Sequence, residues 1–376
     1  MLASLLLDAC AEAGIDFYTG IPDSLLKGLC NELFERYGTE GDTHVVAHNE
    51  GGAVALCAGH YLSTGRPGLC YMQNSGIGNA VNPLASLMDP DVYSIPCLLV
   101  IGWRGEPGVK DEPQHVKQGK ITIGQLDLMG IPYRIISSDT SDHAFLAGFQ
   151  ELLAEMRTGK TVALVIRKGA LLSDKNPHYG NAYVLTREDA VGRILASAGP
   201  DSMFVCTTGK LSREVFELRE ARDEDHSRDF LTVGSMGHAG MIALRIAVEN
   251  PSRIIWCLDG DGASLMHLGA MPLIGKRCPP NLIHVIINNG AHETVGGMPV
   301  CSGSMNICAL ASASGYPCVF SADSDESLDR ILASAADSKS GPVLIEIKCA
   351  CGSRTDLGRP TTTPIMNRDA FMRSLL

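Results

Sequence analysis

The sequence lacks the patterns that most often assign a function directly. Its 376 residues contain no GxxxxGK[ST] loop and no GxSxG turn, which argues against a P-loop nucleotide hydrolase and a serine hydrolase. Gly76-Ile77-Gly78 begins like a dinucleotide-binding loop, but Val81 stands where the third glycine belongs. No apolar run is long enough to suggest a membrane span. The function must therefore be sought in other motifs.

Charged residues are also few. They make up 19% of the chain against 45% hydrophobic residues, which indicates a globular protein with a large core. The formal net charge of -11 argues against nucleic acid and acidic membrane surfaces as partners. A small anionic substrate would therefore have to be attracted by a local group of cations.

The thirteen cysteines include no C-x-x-C pair, and Cys349-Ala350-Cys351 has no matching second pair, so neither zinc nor an iron–sulfur cluster is expected. Most cysteines lie in apolar runs and are predicted to be reduced core residues. The opening segment MLASLLLDACAEAG has no basic start and carries Asp8 and Glu12. It predicts a first helix instead of a signal peptide, and a cytoplasmic protein.

Apolar runs that suit buried strands alternate with segments of helical spacing along the chain. This alternation predicts an α/β fold with two doubly wound, mostly parallel sheets. We place the first domain at 1–170, a linker with several turn residues at 171–185, and the second domain at 186–376. No internal sequence repeat is evident.

The most informative stretch is 253–300. The apolar run Ile254 to Leu258 predicts a buried strand that ends in Asp259-Gly260-Asp261-Gly262, and Ala263 to Ile274 has helical spacing. Glycines on both sides of Asp261 allow a sharp turn and the close approach of a ligand. The free amides at the start of the following helix would suit a phosphate.

A second predicted strand, Leu282 to Ile287, runs into Asn288-Asn289-Gly290. Asp261 and Asn289 would then follow two neighbouring parallel strands, at the edge where open α/β sheets bind ligands. One carboxylate and one amide oxygen suit Mg²⁺. Taken singly, the first motif also fits a plain strand-to-helix turn, and the second fits a cap.

Polar residues also follow the predicted strands of the first half. Asp23 either faces a ligand or caps the next helix. Glu50 is either a functional acid or a first-turn residue favoured by the helix dipole. Gln73 and Asn74 are hydrogen-bonding groups that face a substrate, or they belong to a plain polar turn.

A long loop rich in proline, glycine and both signs of charge follows the predicted strand Ile95 to Ile101. Arg104, Lys110 and Lys117 are the nearest cations for an anionic substrate. His115 is a candidate proton relay, because a histidine side chain ordinarily titrates near neutrality. Acidic neighbours weaken this interpretation, since ordinary solvated loops have the same composition.

Several motifs resemble one group of enzymes. GDG at 260–262 followed by NN at 288–289 resembles the diphosphate and metal motif of thiamine diphosphate enzymes. HNEGGAVALCAGHYLSTGRPG resembles the segment in which decarboxylases of this class carry a buried glutamate. Over nearly the whole chain the resemblance is to the phosphonopyruvate decarboxylase family, through QNSGIGNAVNPLASL, GWRGEPGVKDEPQHVKQG and LGRPTTTP.

The resemblance implies an enzyme that converts 3-phosphonopyruvate into phosphonoacetaldehyde and CO₂ in phosphonate biosynthesis, with thiamine diphosphate and Mg²⁺ as cofactors. The first domain would hold the pyrimidine end and the second the diphosphate, with active sites shared between subunits of a homo-oligomer. A sulfopyruvate decarboxylase, a 2-oxoacid oxidoreductase subunit and a non-catalytic cofactor-binding protein are alternatives. One departure is that Val295 stands where pyruvate decarboxylases carry a glutamate, which leaves the final proton donor unidentified.

Residue roles follow from the same resemblance. Asp261 and Asn289 are implied side-chain ligands of Mg²⁺, with the main-chain oxygen of Ala291 as a third ligand. Glu50 is implied to hydrogen-bond the pyrimidine ring, and Met236 to support the bend between the two cofactor rings. The remaining implied cofactor contacts are Thr207 and Thr208, which also suit a simple helix cap, and Gly234, Gly260, Gly262 and Ala263.

Overall fold

The computed structural model describes residues 1–335 and 340–375, and the chain divides into two compact units. The first unit comprises 1–178 with 295–299, and the second comprises 179–294 with 300–376. The division after His178 falls within the stretch predicted as a linker. The predicted second domain also contains 336–339 and 376, which lie outside the described residues, and the predicted domain limits stay a prediction.

The first unit is built on a six-stranded sheet whose strand pairs are parallel. Its strands are β1 (Tyr18–Gly20), β2 (His44–Val46), β3 (Gly68–Gln73), β4 (Cys97–Gly102), β5 (Tyr133–Ile136) and β6 (Val162–Ile166). Its helices are α1 (Ala3–Glu12), α2 (Lys27–Tyr37), α3 (Glu50–Thr64), α4 (Ile77–Ala85), α5 (Pro113–Leu128) and α6 (Asp142–Met156). The predicted first helix is confirmed by α1.

The second unit contains another six-stranded parallel sheet. Its strands are β7 (Met203–Cys206), β8 (Asp229–Leu231), β9 (Ile255–Gly260), β10 (Leu282–Asn288), β11 (Cys318–Ala322) and β12 (Val343–Lys348). Its helices are α7 (Arg187–Ser197), α8 (Lys210–Ala221), α9 (Ala239–Glu249), α10 (Asp261–Met266), α11 (Ala270–Arg277), α12 (Ile307–Ala313), α13 (Asp325–Ala335) and α14 (Pro364–Leu375).

Both sheets follow the same chain path. The first has the order β2-β1-β3-β4-β6-β5, and the second, read from β8, has the order β8-β7-β9-β10-β12-β11. Numbered from its own first strand, each sheet is therefore 2-1-3-4-6-5, although no repeat is evident in the sequence. The strand order reverses direction between the first and third strands, where doubly wound sheets bind ligands. The predicted fold class is confirmed.

The central strands are apolar because they are covered on both faces. All residues of β4, β6 and β10 are buried, as expected for the interior of a parallel sheet.

The prediction of a single helix over Ala263 to Ile274 is wrong, because the chain leaves the helical conformation at His267 and α11 begins three residues later. Within the described residues, no helix combines the length and apolar character that crossing a bilayer requires.

Two glycines on α5 should respond in opposite ways to substitution by alanine. A β-carbon on Gly119 would overlap the carbonyl oxygen of Gly105, whereas one on Gly124 would have nothing within 4 Å. We expect Gly119→Ala to lower the free energy of unfolding by about 2 kcal/mol or more. Gly124→Ala should raise it by about 0.5–1 kcal/mol. Urea unfolding followed by circular dichroism measures both, and equal stabilities would contradict the close packing at Gly119.

Candidate active site

Asp261 and Asn289 lie at the same edge of the second sheet. β9 and β10 pair in parallel with Gly260 opposite Ile287, so their carboxyl ends are neighbours. The Gly290 amide donates a hydrogen bond to Oδ2 of Asp261 at 3.1 Å and ties the two turns together. The structure therefore brings together the two residues predicted as metal ligands.

The Asp261 carboxylate has the properties of a cation ligand. It is 4% exposed and also accepts a hydrogen bond from Oγ of Ser302 at 2.6 Å. Burial raises the pKa of Asp261 from 3.8 to about 6, because removal from water disfavours the charged form. A bound dication would favour the charged form again. A buried carboxyl group with a raised pKa would be stabilised in its charged form by a cation, so Asp261 fits the implied metal site.

The side chain of Asp259 holds the turn that carries Asp261 in place. Asp259 accepts hydrogen bonds from the amide of Gly260 at 2.9 Å and from Oγ of Ser264 at 3.1 Å. Gly262 and Ala263 are buried at the start of α10, whereas a β-carbon on Gly260 would have nothing within 4 Å. The space beside Gly260 is compatible with the close approach of a ligand.

Asn289 and Ala291 offer two further oxygen atoms next to this turn. Asn289 is buried, and its Oδ1 accepts a hydrogen bond from the Ala291 amide at 3.1 Å. The carbonyl oxygen of Ala291 accepts from the amide of Glu293 at 2.9 Å. Each oxygen has a second lone pair, so both suit a hard cation.

The residues after β7 and β8 lie together in the same unit. β7 is the neighbour of β9, so Thr207 and Thr208 follow a strand adjacent to the one that carries Asp261. Oγ1 of Thr208 accepts a hydrogen bond from the Gly234 amide at 3.2 Å. Gly234 has a φ of 73°, and the half-buried Met236 follows it in the same turn. The structure thus groups Thr208 with the turn that contains Met236.

In the first unit, Asp23 and Gln73 lie at the carboxyl ends of the neighbouring strands β1 and β3. Nε2 of Gln73 donates to Oδ1 of Asp23 at 2.7 Å, and the Leu25 amide donates to Oδ2 at 3.0 Å. Asp23 is thus a cap for the helical turn that follows it as well as a partner of Gln73. Burial raises the pKa of Asp23, so its neutral form is favoured relative to an exposed aspartate.

Arg104 lies beside this pair, and an acidic partner balances its positive charge. Its Nε donates to Oδ2 of Asp111 at 2.8 Å, and its Nη1 donates to Oγ of Ser24 at 2.8 Å. Nδ2 of Asn74 donates to the carbonyl oxygen of Arg104 at 2.8 Å. The structure therefore joins Asn74 and Arg104, and it gives Arg104 an acidic partner as the mixed charge of the loop suggested.

His115 differs from the expectation that it titrates near neutrality. It is buried on α5, and burial lowers its pKa to about 4, so the imidazole is neutral at physiological pH. Its Nδ1 has no hydrogen-bond partner among the described residues. Lys110 and Lys117 are exposed.

Glu50 is the first residue of α3 and also a buried acid, with 5% exposure. Its helix is capped by Asn49, whose side chain accepts from the Gly52 amide at 2.7 Å. Oε2 of Glu50 accepts from Nδ2 of Asn79 at 2.7 Å, and a β-carbon on Gly76 would overlap Oε1. A buried carboxylate with one oxygen engaged fits a role in holding the pyrimidine ring.

Several partners of these residues were not found from the sequence. Asn79 is 29 residues from Glu50, and Ser302 is 41 residues from Asp261. The interaction of Asn289 with Glu293 spans four residues, but the loop that contains both has no periodicity. Contacts of this kind depend on how strands and loops meet in space, which spacing alone does not reveal.

Comparison with known proteins decides the family. The model described as "Thiamine pyrophosphate enzyme, N-terminal TPP binding domain" matches residues 1–127, and the corresponding C-terminal TPP binding domain model matches 207–347. The chain belongs to the thiamine pyrophosphate enzymes. Thiamine pyrophosphate is the same compound as thiamine diphosphate, so the predicted organic cofactor is confirmed.

Curated relatives of this thiamine pyrophosphate enzyme are decarboxylases. A phosphonopyruvate decarboxylase from Streptomyces viridochromogenes is 34% identical over 93% of this chain and 89% of its own length. Another, from Streptomyces hygroscopicus, is 34% identical over 96% of this chain and 91% of its own length. A sulfopyruvate decarboxylase from Methanosarcina acetivorans is 26% identical over 79% of this chain and 78% of its own length. The predicted resemblance is confirmed.

The burial of His115 predicts a pH effect on stability. An unfolded chain gives the imidazole a pKa of about 6.5, whereas in the folded chain the pKa is about 4. The contribution to stability is present above the unfolded pKa and is lost as pH falls toward 4, because the unfolded state binds the proton more readily. The loss reaches about 2 kcal/mol near pH 5.

We therefore expect His115→Gln to lose less stability than the unaltered protein between about pH 7.5 and about pH 5. Urea unfolding at both pH values measures the difference. His143→Gln, which removes an exposed histidine from the same unit, is the control. The same pH dependence in all three proteins would contradict a neutral, buried His115.

Proposed function

We propose that this enzyme decarboxylates 3-phosphonopyruvate to phosphonoacetaldehyde and CO₂ in phosphonate biosynthesis, using thiamine diphosphate and Mg²⁺. The observation that carries the proposal is the similarity to phosphonopyruvate decarboxylases. Two of them are 34% identical over 93% and 96% of this chain, against 26% over 79% for a sulfopyruvate decarboxylase. The latter supplies the second candidate substrate.

The metal site consists of three oxygen ligands at one edge of the second sheet. The side chains of Asp261 and Asn289 and the carbonyl oxygen of Ala291 would hold Mg²⁺, as hard oxygen ligands suit this ion. The hydrogen bond from the Gly290 amide to Asp261 supports this grouping, since it keeps the two turns in contact. The diphosphate would lie against the turn from Gly260 to Ala263, with Thr207, Thr208 and Gly234 beside it.

When bound, thiamine diphosphate supplies an electron sink for the carbanion that remains after CO₂ leaves. Glu50 would hold a proton between its Oε1 and a nitrogen of the pyrimidine ring, while Asn79 occupies Oε2. Gly76 leaves room for this carboxylate, since a larger residue would displace it. Met236 would support the bend between the rings from its glycine-containing turn.

Substrate recognition falls to the polar residues of the first unit. Asp111 balances the charge of Arg104, and burial favours the neutral form of Asp23, so an anion meets little repulsion there. Arg104 and Gln73 would provide hydrogen bonds to carboxylate and phosphonate oxygens. Asn74, predicted as a third donor, is buried and gives both of its amide hydrogens to the carbonyl oxygen of Arg104 and to Oγ1 of Thr122, so it would act by holding Arg104 in place. Lys110 and Lys117 would act only through longer-range attraction from the exposed loop and α5. His115 would act as a neutral hydrogen-bonding group.

The proposal includes a cytoplasmic location. All thirteen cysteines are free and eight are buried, in agreement with the predicted reduced core residues. Free thiols in this number suit a reducing compartment.

A panel of 2-oxo acids tests the substrate and the role of Glu50 together. With thiamine diphosphate and Mg²⁺ present, we expect CO₂ release to be faster from 3-phosphonopyruvate than from sulfopyruvate. Glu50→Gln should lower kcat by about 10²- to 10⁴-fold, since it removes the group that shares a proton with the ring. Glu35→Gln, on the exposed face of α2, should have no effect.

Each outcome of the panel answers a separate question. Preference for sulfopyruvate would replace the proposed substrate, and full activity of Glu50→Gln would remove Glu50 from the mechanism. Tight cofactor binding without CO₂ release from any acid would favour a non-catalytic binding protein. Visible absorbance of the purified protein would favour the oxidoreductase alternative.

The proposal also includes a homo-oligomer, a dimer or larger, whose active sites are shared between subunits. Glu50→Gln and Asp261→Ala should each be inactive alone. In mixed dimers, a shared arrangement gives one intact site for two damaged chains, so activity should recover to about a quarter of the normal value after random mixing. Light scattering measures the oligomer, and the absence of any recovery would show that each site lies within one chain.

A further inference from the structure

We propose that Glu293 is a positioning residue that fixes the direction of the Asn289 side-chain amide, so that the amide oxygen faces the cation. The inference rests on the proposed role of Asn289 as a Mg²⁺ ligand. Glu293 would act through Asn289 and not as a ligand, since both of its carboxylate oxygens are engaged by other side chains.

The two sides of an asparagine amide are chemically opposite. Rotation about the Cβ–Cγ bond exchanges its oxygen with its nitrogen, and only the oxygen can coordinate a cation. Here Nδ2 of Asn289 donates to Oε2 of Glu293 at 2.8 Å, and Oδ1 accepts from the Ala291 amide at 3.1 Å. After a half-turn, oxygen would face a carboxylate and nitrogen would face an N–H group. Both contacts would become repulsive, so Glu293 and the Ala291 amide select one orientation.

The main chain at Asn289 is held independently of Glu293. Its carbonyl oxygen accepts hydrogen bonds from Nδ2 of Asn181 at 2.9 Å and from Sγ of Cys351 at 3.2 Å. The Glu293 amide also donates to the carbonyl oxygen of Ala291, so Glu293 contacts both proposed ligands that follow β10. Since the backbone is fixed, the rotation of the amide is the freedom that the Glu293 side chain removes.

A group of charges holds Glu293 in place. Nη1 of Arg187 lies 2.6 Å from its Oε2, and Nζ of Lys210 lies 3.0 Å from its Oε1. The other edge of the Arg187 guanidinium donates to both oxygens of Glu214, each at 2.6 Å. Arg187 and Glu214 are buried, and two carboxylates balance two cations. The group therefore presents a fixed acceptor to Asn289, which is what orienting a metal ligand requires.

The test measures the affinity of the full chain for Mn²⁺, a paramagnetic substitute for Mg²⁺. Binding is followed by electron paramagnetic resonance with thiamine diphosphate present. Glu293→Leu keeps much of the side-chain volume and removes both acceptor oxygens. We expect the dissociation constant for Mn²⁺ to rise about 10- to 100-fold. Glu224→Leu removes a carboxylate from another buried arginine of this unit, Arg219, and should leave the affinity unchanged.

Asn289→Asp provides the comparison that separates orientation from structure. A carboxylate has an oxygen on either side and needs no orienting partner. In that background Glu293→Leu should leave the affinity for Mn²⁺ unchanged or increase it, because it removes one carboxylate that faces another. Equal weakening in both backgrounds would indicate a merely structural role and overturn the proposal, as would no change in either.

Thermal unfolding identifies variants that do not fold. If Glu293→Leu fails this control, Glu293→Gln, which keeps one acceptor oxygen, should give the same pattern with a smaller change. Asp261→Ala separates this inference from the proposed function. If Mn²⁺ binding survives the loss of Asp261, the proposed metal site is wrong. If Asp261→Ala abolishes Mn²⁺ binding while the Glu293 variants bind Mn²⁺ normally, only the positioning role is wrong.

Discussion

The parallel pairing of β9 with β10 is the constraint on which the candidate site depends. Both strands are buried along nearly their whole length, so a shift of one residue would exchange the side chains that pack on the two faces of the sheet and disrupt the core on both sides. Since the register is fixed, the two carboxyl ends stay adjacent and the Gly290 amide reaches Asp261. The polar residues of the site are thus held in place by the core beneath them.

The same chain path, used twice, presents different chemistry at equivalent places. In the strand order 2-1-3-4-6-5, Asp23 follows the first strand of one unit and Thr207 follows the first strand of the other. Glu50 follows the second strand in one sheet, and Met236 follows the second strand in the other. The fold supplies the positions, and the residues placed there decide what is bound. This explains why a repeated topology is compatible with a sequence that shows no repeat.

The sheets were predictable because their signal is local. Runs such as Leu282 to Ile287 are apolar over the length of a strand, and the turn residues that follow them mark the ends. The break at His267 was not predicted, since the residues on either side keep helical spacing. The hydrogen-bonded pairs that shape the site, such as Asn79 with Glu50, join separate elements and give no periodic pattern in the sequence. His115 shows the same limit, because its altered pKa comes from burial that the sequence does not reveal.

Asp261 links the site to the stability of the second unit. Burial raises its pKa to about 6, so the folded chain disfavours the charged form. The resulting penalty is absent below the ordinary pKa of 3.8, grows as pH rises through about 6, and reaches about 3 kcal/mol at neutral pH. A cation bound at Asp261 would offset this penalty, because it favours the carboxylate. The side chain that lowers the stability of the unit at neutral pH is therefore the one that a cation would stabilise, so binding at the proposed metal site would raise the stability of the second unit.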